Sequence, residues 1–166
     1  LRFEFTPSRE EGLRSPTVRS IIRDRSGEIW LGTDNGLHRF EDENQGFSVF
    51  SATSGDVRSL AHNEVHCVFE DSSEVLWVGT YGGGVSKTVG RKNHFLHYRS
   101  NPDDPNTLGN DIVWSFWEDA KGILWIGTHG GGLDRLDRRK NRFTHFRHRS
   151  GDPSSLSDNH VRVVMQ

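Results

Sequence analysis

Trp30-Leu-Gly-Thr33 returns as Trp77-Val-Gly-Thr80 and again as Trp125-Ile-Gly-Thr128, the tryptophans 47 and then 48 residues apart. A fixed period of this length marks a solenoid, a propeller or another array of one structural unit. Trp30, Gly32, Thr33, Trp77, Gly79, Thr80, Trp125, Gly127 and Thr128 are therefore read as structural repeat positions. In such a chain the repeats supply the scaffold, and recognition falls to the loops that differ between copies.

Other landmarks keep the same step. Leu13, Leu60 and Leu108 each stand 17 residues before their Trp, and Leu156 opens a fourth copy that does not reach one. An aromatic pair recurs as Phe47/Phe50, Phe95/Tyr98 and Phe143/Phe146, and Phe3 and Phe5 read as the tail of an earlier copy. Each full copy resolves into four short segments. The first is Val18-Arg-Ser-Ile-Ile22, matched by Val65-His-Cys-Val-Phe69 and Ile112-Val-Trp-Ser-Phe116. The Trp-Gly-Thr segment comes second, and Gly36-Leu-His-Arg-Phe40 with its counterparts Gly84-Val-Ser-Lys and Gly132-Leu-Asp-Arg-Leu136 comes third. The aromatic pair closes the unit.

These segments are rich in β-branched, aromatic and aliphatic residues and are bounded by Gly, Asn, Asp or Ser, the composition of strands and turns. Asp24-Arg-Ser-Gly27 and Asp119-Ala-Lys-Gly122 suit tight turns, in which Asp accepts from the following backbone and Gly takes positive φ. No helical period is sustained, which excludes repeats of helix pairs, and a β-helix would have shorter coils. Four antiparallel strands in this span are the blade of a β-propeller.

The expected fold is all-β. Blades lie at 13–59, 60–107 and 108–155, the end of a preceding blade at 1–12, and the start of the next at 156–166. Propellers close with 4–8 blades, so this chain of 166 residues is expected to be an excerpt from a seven-bladed or larger propeller. Strands near Phe3 and at Val161–Met165 are expected to be completed by neighbouring blades.

With 21 basic and 23 acidic residues the net charge is −2, without the basic excess of a nucleic-acid binder. Arg138-Arg-Lys-Asn-Arg142 falls where a solvated hairpin turn belongs. The single cysteine, Cys67, sits in an inner strand and reads as a small core residue. No stretch approaches the roughly 20 apolar residues that span a bilayer.

Several constellations invite chemistry and are better explained by structure. Gly82-Gly-Gly84 and Gly130-Gly-Gly132 lack the Lys-Ser/Thr and the helix of a phosphate loop, and suit hairpin turns. His94-x-x-His97 and His145-x-x-His148 lie on strands, where residues three apart face opposite ways and cannot chelate together. Asn101-Pro-Asp-Asp-Pro-Asn106 lacks the spacing of a calcium loop. No metal, no cofactor and no catalytic residue is assigned. The repeated Trp positions, identical in register, are expected to pack between blades rather than to stack sugars.

Variation between copies points to a recognition face. The residue after Gly-Thr is Asp34, then Tyr81, then His129. The first strand varies at its second position, with Arg19 and His66, and Trp114 lies close to that position in the third copy. In a four-stranded meander these positions share one end with the loop that leads to the next blade, at the mouth of the central channel. Arg19, Asp34, His66, Tyr81, Trp114 and His129 are the candidate ligand-facing residues. Solvent-exposed variation without recognition is the competing reading.

The combination Asp-x-x-Gly-x-Ile/Leu-Trp-Ile-Gly-Thr-x-Gly-Gly-Gly-Leu, an aromatic pair, then Asn-Pro-Asp-Asp-Pro-Asn-Thr-Leu resembles the two-component regulator propeller repeat. The resemblance is fullest in the third copy (Glu118 to Phe146). It is good in the second, where Glu74 replaces the turn Gly, and weaker in the turns of the first, where Asp34-Asn-Gly36 is one residue shorter than Tyr81-Gly-Gly-Gly84. It implies a non-catalytic sensor propeller on the periplasmic or extracytoplasmic side of a bacterial inner-membrane hybrid histidine kinase, with a diguanylate cyclase as the alternative parent. The implied partners are a small-molecule or glycan ligand and neighbouring blades of the same protein. A second copy forming a homodimer is a further candidate, and the membrane is reached through parts of the parent outside this sequence. A propeller lyase or hydrolase would need a clustered His/Glu/Arg set around the channel. A protein-interaction scaffold is the remaining class.

Overall fold

The computed structural model describes residues 13, 15–42, 46–89 and 92–165. They form twelve strands in three four-stranded antiparallel sheets, with no helix among the described residues. The first sheet comprises β1 (Val18–Arg23), β2 (Ile29–Thr33), β3 (Gly36–Phe40) and β4 (Phe47–Phe50). The second comprises β5 (Val65–Glu70), β6 (Leu76–Thr80), β7 (Val85–Val89) and β8 (Lys92–Tyr98). The third comprises β9 (Val113–Glu118), β10 (Leu124–Thr128), β11 (Leu133–Asp137) and β12 (Arg142–Phe146). Within each sheet the spatial order follows the chain. Between sheets it is the first strands that meet, β1 with β5 and β5 with β9. Meanders joined at their first strands are blades, and the chain is a partial β-propeller.

The glycine of each Trp-x-Gly-Thr segment sets how closely blades approach. A Cβ on Gly32 would stand 2.7 Å from Val65 Cγ1, and one on Gly79 2.7 Å from Val113 Cγ1. Val65 and Val113 head the next blade's first strand, so a side chain here would push neighbouring blades apart. The thiol of Cys67 lies in the second joint, 3.8 Å from the Val113 carbonyl, and burial pushes its pKa up, keeping it protonated.

The tryptophans fill the same joints further out. Trp30 packs on Phe50, which meets Phe95 of the next blade, and Trp77 packs on Tyr98, which meets Phe143. Each indole N–H also donates to the Asp that opens the β1–β2-type turn: Trp30 to Asp24 (2.8 Å), Trp77 to Asp71 (2.7 Å) and Trp125 to Asp119 (3.1 Å). The other oxygen of that carboxylate accepts the turn's own amides, from Glu28, Val75 and Ile123. One aspartate therefore shapes the turn and orients the core ring. Burial alone pushes Asp24 and Asp119 up, but these donors, with the Ser26 hydroxyl at Asp24, outweigh it and hold both carboxyls below the ordinary aspartate value.

Glu74 occupies the turn position that Gly27 and Gly122 hold in the other blades, and it does so at φ 60. A side chain in the left-handed region costs about 1–2 kcal/mol, while glycine gives back about 0.5–1 kcal/mol through the unfolded chain. Glu74→Gly is therefore expected to stabilise the protein by about 0.5–1 kcal/mol, read as a higher urea midpoint at unchanged slope.

Two expectations change. The strand expected at Val161–Met165 is extended chain without a ladder: Val161 N–H bonds Thr128 O, and His160 forms an isolated bridge with His129. The second strand with which it would pair is absent from the described residues. The third copy's first segment also begins one residue later than the sequence match implies, because Val113, not Ile112, pairs with Thr128 as Val65 pairs with Thr80. The extra residue of the three-glycine turn causes this shift, so the first-strand offset is 47 residues between blades 1 and 2 but 48 between blades 2 and 3. Phe3 and Phe5 lie outside the described residues.

Candidate functional site

The register places Arg19, His66 and Trp114 at one structural position. Each interrupts the pairing of its strand: between Val18 and Ser20, between Val65 and Cys67, and opposite the Gly127/Thr128 step. A bulge inserts an unpaired residue and re-aims its side chain, a device common at the rims of barrels and beside functional sites.

The residue after Gly-Thr meets this bulge. Tyr81 N–H donates to Glu64 O and Tyr81 bridges to Ile112; His129 N–H donates to Ile112 O and His129 bridges to His160. The position therefore stitches two blades together while its side chain joins the bulge residue. Arg19 Nε lies 2.5 Å from Asp34 Oδ1, and Arg19 Nη2 lies 3.1 Å from Glu64 Oε1. His66 Nε2 lies 3.1 Å from the same Glu64 oxygen, and its ring centroid is 5.2 Å from that of Tyr81. Trp114 lies 4.7 Å from His129, centroid to centroid. The six candidates thus fall on one end of the sheets as Arg19–Asp34, His66–Tyr81 and Trp114–His129 pairs, one per blade.

Three further residues belong to this face and escaped the sequence reading. Glu64 links the first pair to the second. His160 lies 4.3 Å from His129, and the Arg162 guanidinium lies 5.1 Å from the Trp114 ring centre. Their signal was present: Arg162 stands 48 residues after Trp114, and His160 stands 48 after Ile112.

The glycine triplets beside this face are held by the next blade. Gly82 and Gly84 donate to Asp111 O, and Gly130 and Gly132 donate to Asn159 O. These amides are engaged in the joint rather than presented to a phosphate. His97 and His145 are also engaged, each bridging β7 or β11 to a loop carbonyl: Ser86 Oγ and Val57 O for His97, Asp134 Oδ1 and Pro105 O for His145. The loop containing Asn101–Asn106 covers the edge of β12, where Asn106 Oδ1 accepts from Phe143 N–H at 2.8 Å. At the opposite end Arg138 bonds Asp71 and Glu118, joining blades 2 and 3, whereas Arg139 and Lys140 are exposed. Arg138 is thus a structural staple within what the sequence suggested was a solvated turn.

The fold and its repeated end are those of a β-propeller built from one recurring blade. Residues 12–35 and 59–82 match the two component regulator propeller. The third copy lies outside the matched residues. No curated protein matches the chain. Among solved structures, the extracellular domain of the hybrid two component system BT3049 from B. thetaiotaomicron is similar at TM-score 0.79 and 29% identity, over 91% of this chain and 21% of that one. The extracellular domain of BT4673 from the same organism is similar at TM-score 0.72 and 26% identity, over 89% and 21%. This chain therefore spans about a fifth of either domain. Virginiamycin B lyase from Staphylococcus aureus, at 14% identity, TM-score 0.56 and coverage of 84% and 42%, shares the fold alone.

Proposed function

We propose that this chain is a stretch of the extracytoplasmic sensor propeller of a membrane-bound hybrid two-component histidine kinase. In this reading, the bulge end of its blades contacts a small-molecule ligand of the glycan class. The similarity to two extracellular domains of hybrid two component systems supports the sensor assignment. The observation that carries the ligand face is the contrast between a constant scaffold and a changing end. Trp, Gly and Thr repeat in every blade, while the paired positions above them read Arg/Asp, His/Tyr and Trp/His. Bulges set these variable side chains at one end of the sheets, and loops and bulges on a rigid frame are where recognition sits.

Tyr81→Ala combined with His129→Ala is expected to abolish the response of a transcriptional reporter driven by the full-length protein. Stability should change by about 0.5 kcal/mol or less at exposed Tyr81 and by about 1 kcal/mol at half-buried His129, leaving the fold intact. Lys121→Ala and Arg139→Ala, at the opposite turns, should leave both untouched. An equal loss of signalling from both ends would remove the basis for a ligand face at the bulges.

A further inference from the structure

The bulge end divides into two halves of different electrostatic character. Between blades 1 and 2 the charges answer one another. Arg19 is held by Asp34 and Glu64, and Glu64 also meets His66. Little donor capacity is left there for an anionic ligand, and two carboxylates oppose one. The other half comprises Trp114, His129, His160 and Arg162. The one carboxylate bonded to it among the described residues is Asp158, at 2.6 Å from His160 Nδ1. Arg162 has no carboxylate partner among the described residues.

The guanidinium of Arg162 is nonetheless placed, since it lies 5.1 Å from the centre of the Trp114 ring. A guanidinium held against an aromatic face by cation–π attraction keeps its N–H fork in plane and available. That fork matches the two oxygens of a carboxylate or sulfate. His129 packs between Trp114 and His160, 4.7 and 4.3 Å from their ring centres, and no protein hydrogen bond to its imidazole nitrogens is made among the described residues. Its ring stands against the same Trp114 that holds the guanidinium. The His129–His160 bridge and the bond from Val161 N–H to Thr128 O at 3.0 Å fix the backbone at His129, His160 and Val161, next to Arg162.

We propose that Trp114, His129, His160 and Arg162 form an oxyanion subsite that reads an acidic group, a carboxylate or a sulfate, on the ligand of the sensor face. In this arrangement Arg162 binds the anion, Trp114 orients Arg162, and His129 packs against Trp114. The proposal rests on the ligand-face reading and deepens it: the ligand is acidic, and its charged end lies at the third blade.

The test is a calorimetric titration of the full-length protein with four matched probes: galactose, galacturonate, galactose 6-sulfate and galactose 6-phosphate. At least one acidic probe is expected to bind, with galactose at least tenfold weaker. Arg162→Gln should weaken the acidic probe about tenfold to a hundredfold, the range of a charge-assisted hydrogen bond. Arg162→Lys should recover only part of this, because the charge returns without the fork. Arg139→Gln, at the exposed opposite turn, should leave the affinity within about twofold. Which acidic probe binds most tightly separates carboxylate from sulfate and phosphate. Acidic-probe binding that is lost in Tyr81→Ala but unaffected by Arg162→Gln would keep the ligand face and overturn the oxyanion subsite. Binding by none of the acidic probes, or equal losses from Arg162→Gln and Arg139→Gln, would overturn it as well. Unchanged circular dichroism of each variant separates lost binding from lost folding.

Discussion

Trp77→Ala is expected to lower the free energy of unfolding by about 3–5 kcal/mol, the range for truncating a large buried aromatic. That is a large part of the stability of an ordinary domain, about 5–15 kcal/mol. Trp77 is 1% exposed, stacks on Tyr98, carries the Lys87 ammonium over its face and donates its indole N–H to Asp71. Truncation empties the joint between blades 2 and 3 and removes one donor from a buried carboxylate, which keeps Arg138. The equivalent Trp125 is only partly buried, because its partner Phe146 is 41% exposed and meets no ring of a further blade among the described residues. Trp125→Ala should therefore cost clearly less, although its sequence register is the same. Lys121→Ala should change stability by no more than about 0.5 kcal/mol. Urea unfolding of the three variants checks the order, and tolerance at Trp77 equal to that at Lys121 would remove the structural role of the motif.

The contrast between Trp77 and Trp125 shows where sequence reading stops. Period, strand composition and turn residues were enough to place four strands per copy, because each is a local property. What a blade borrows from its neighbour was not legible. The bond from each indole to the Asp six residues earlier joins two strands across a turn, and periodicity alone does not disclose it. The bulges at Arg19, His66 and Trp114 arise where a first strand must pair within its own blade and also pack on the previous one. Trp114 was recognised as near the variable position, but its equivalence to His66 depends on counting the extra glycine of one turn. Glu64 escaped because the sequence comparison tracked two variable columns and the face has three. His160 and Arg162 sit in a copy with no Trp to align it. In physical terms, local propensity specified the elements, and turn length specified which side chains meet.

The exposed ends of the blade stack predict the behaviour of this chain when expressed alone. In blades 2 and 3 the first-strand residues Val65, Val68, Val113 and Phe116 are 0–9% exposed, covered by the blade before them. Their counterparts in blade 1, Val18 and Ile21, are 42% and 60% exposed. At the other end Phe146, Val163 and Met165 are 41%, 67% and 77% exposed, and Phe146 borders a cleft of about 450 Å³ that Trp125, Leu133 and Leu156 line together with Arg147, Arg149 and Asp152. One end offers the surface that a following blade covers and the other the surface that a preceding blade covers, so a second copy of the chain fits head to tail. Apolar patches and open sheet edges drive such pairing. Because the two surfaces differ, the contact is heterologous, and each added copy leaves a fresh surface exposed until the blades close into a ring. Sedimentation velocity over a hundredfold range of concentration is expected to show a weight-average mass that rises without a plateau at two chains. Ile21→Lys, which places a charge in the leading face and leaves the blade 2 and 3 joints intact, should lower that rise while circular dichroism still reports sheet. A monomer of constant mass at every concentration would show that the two faces do not recognise each other.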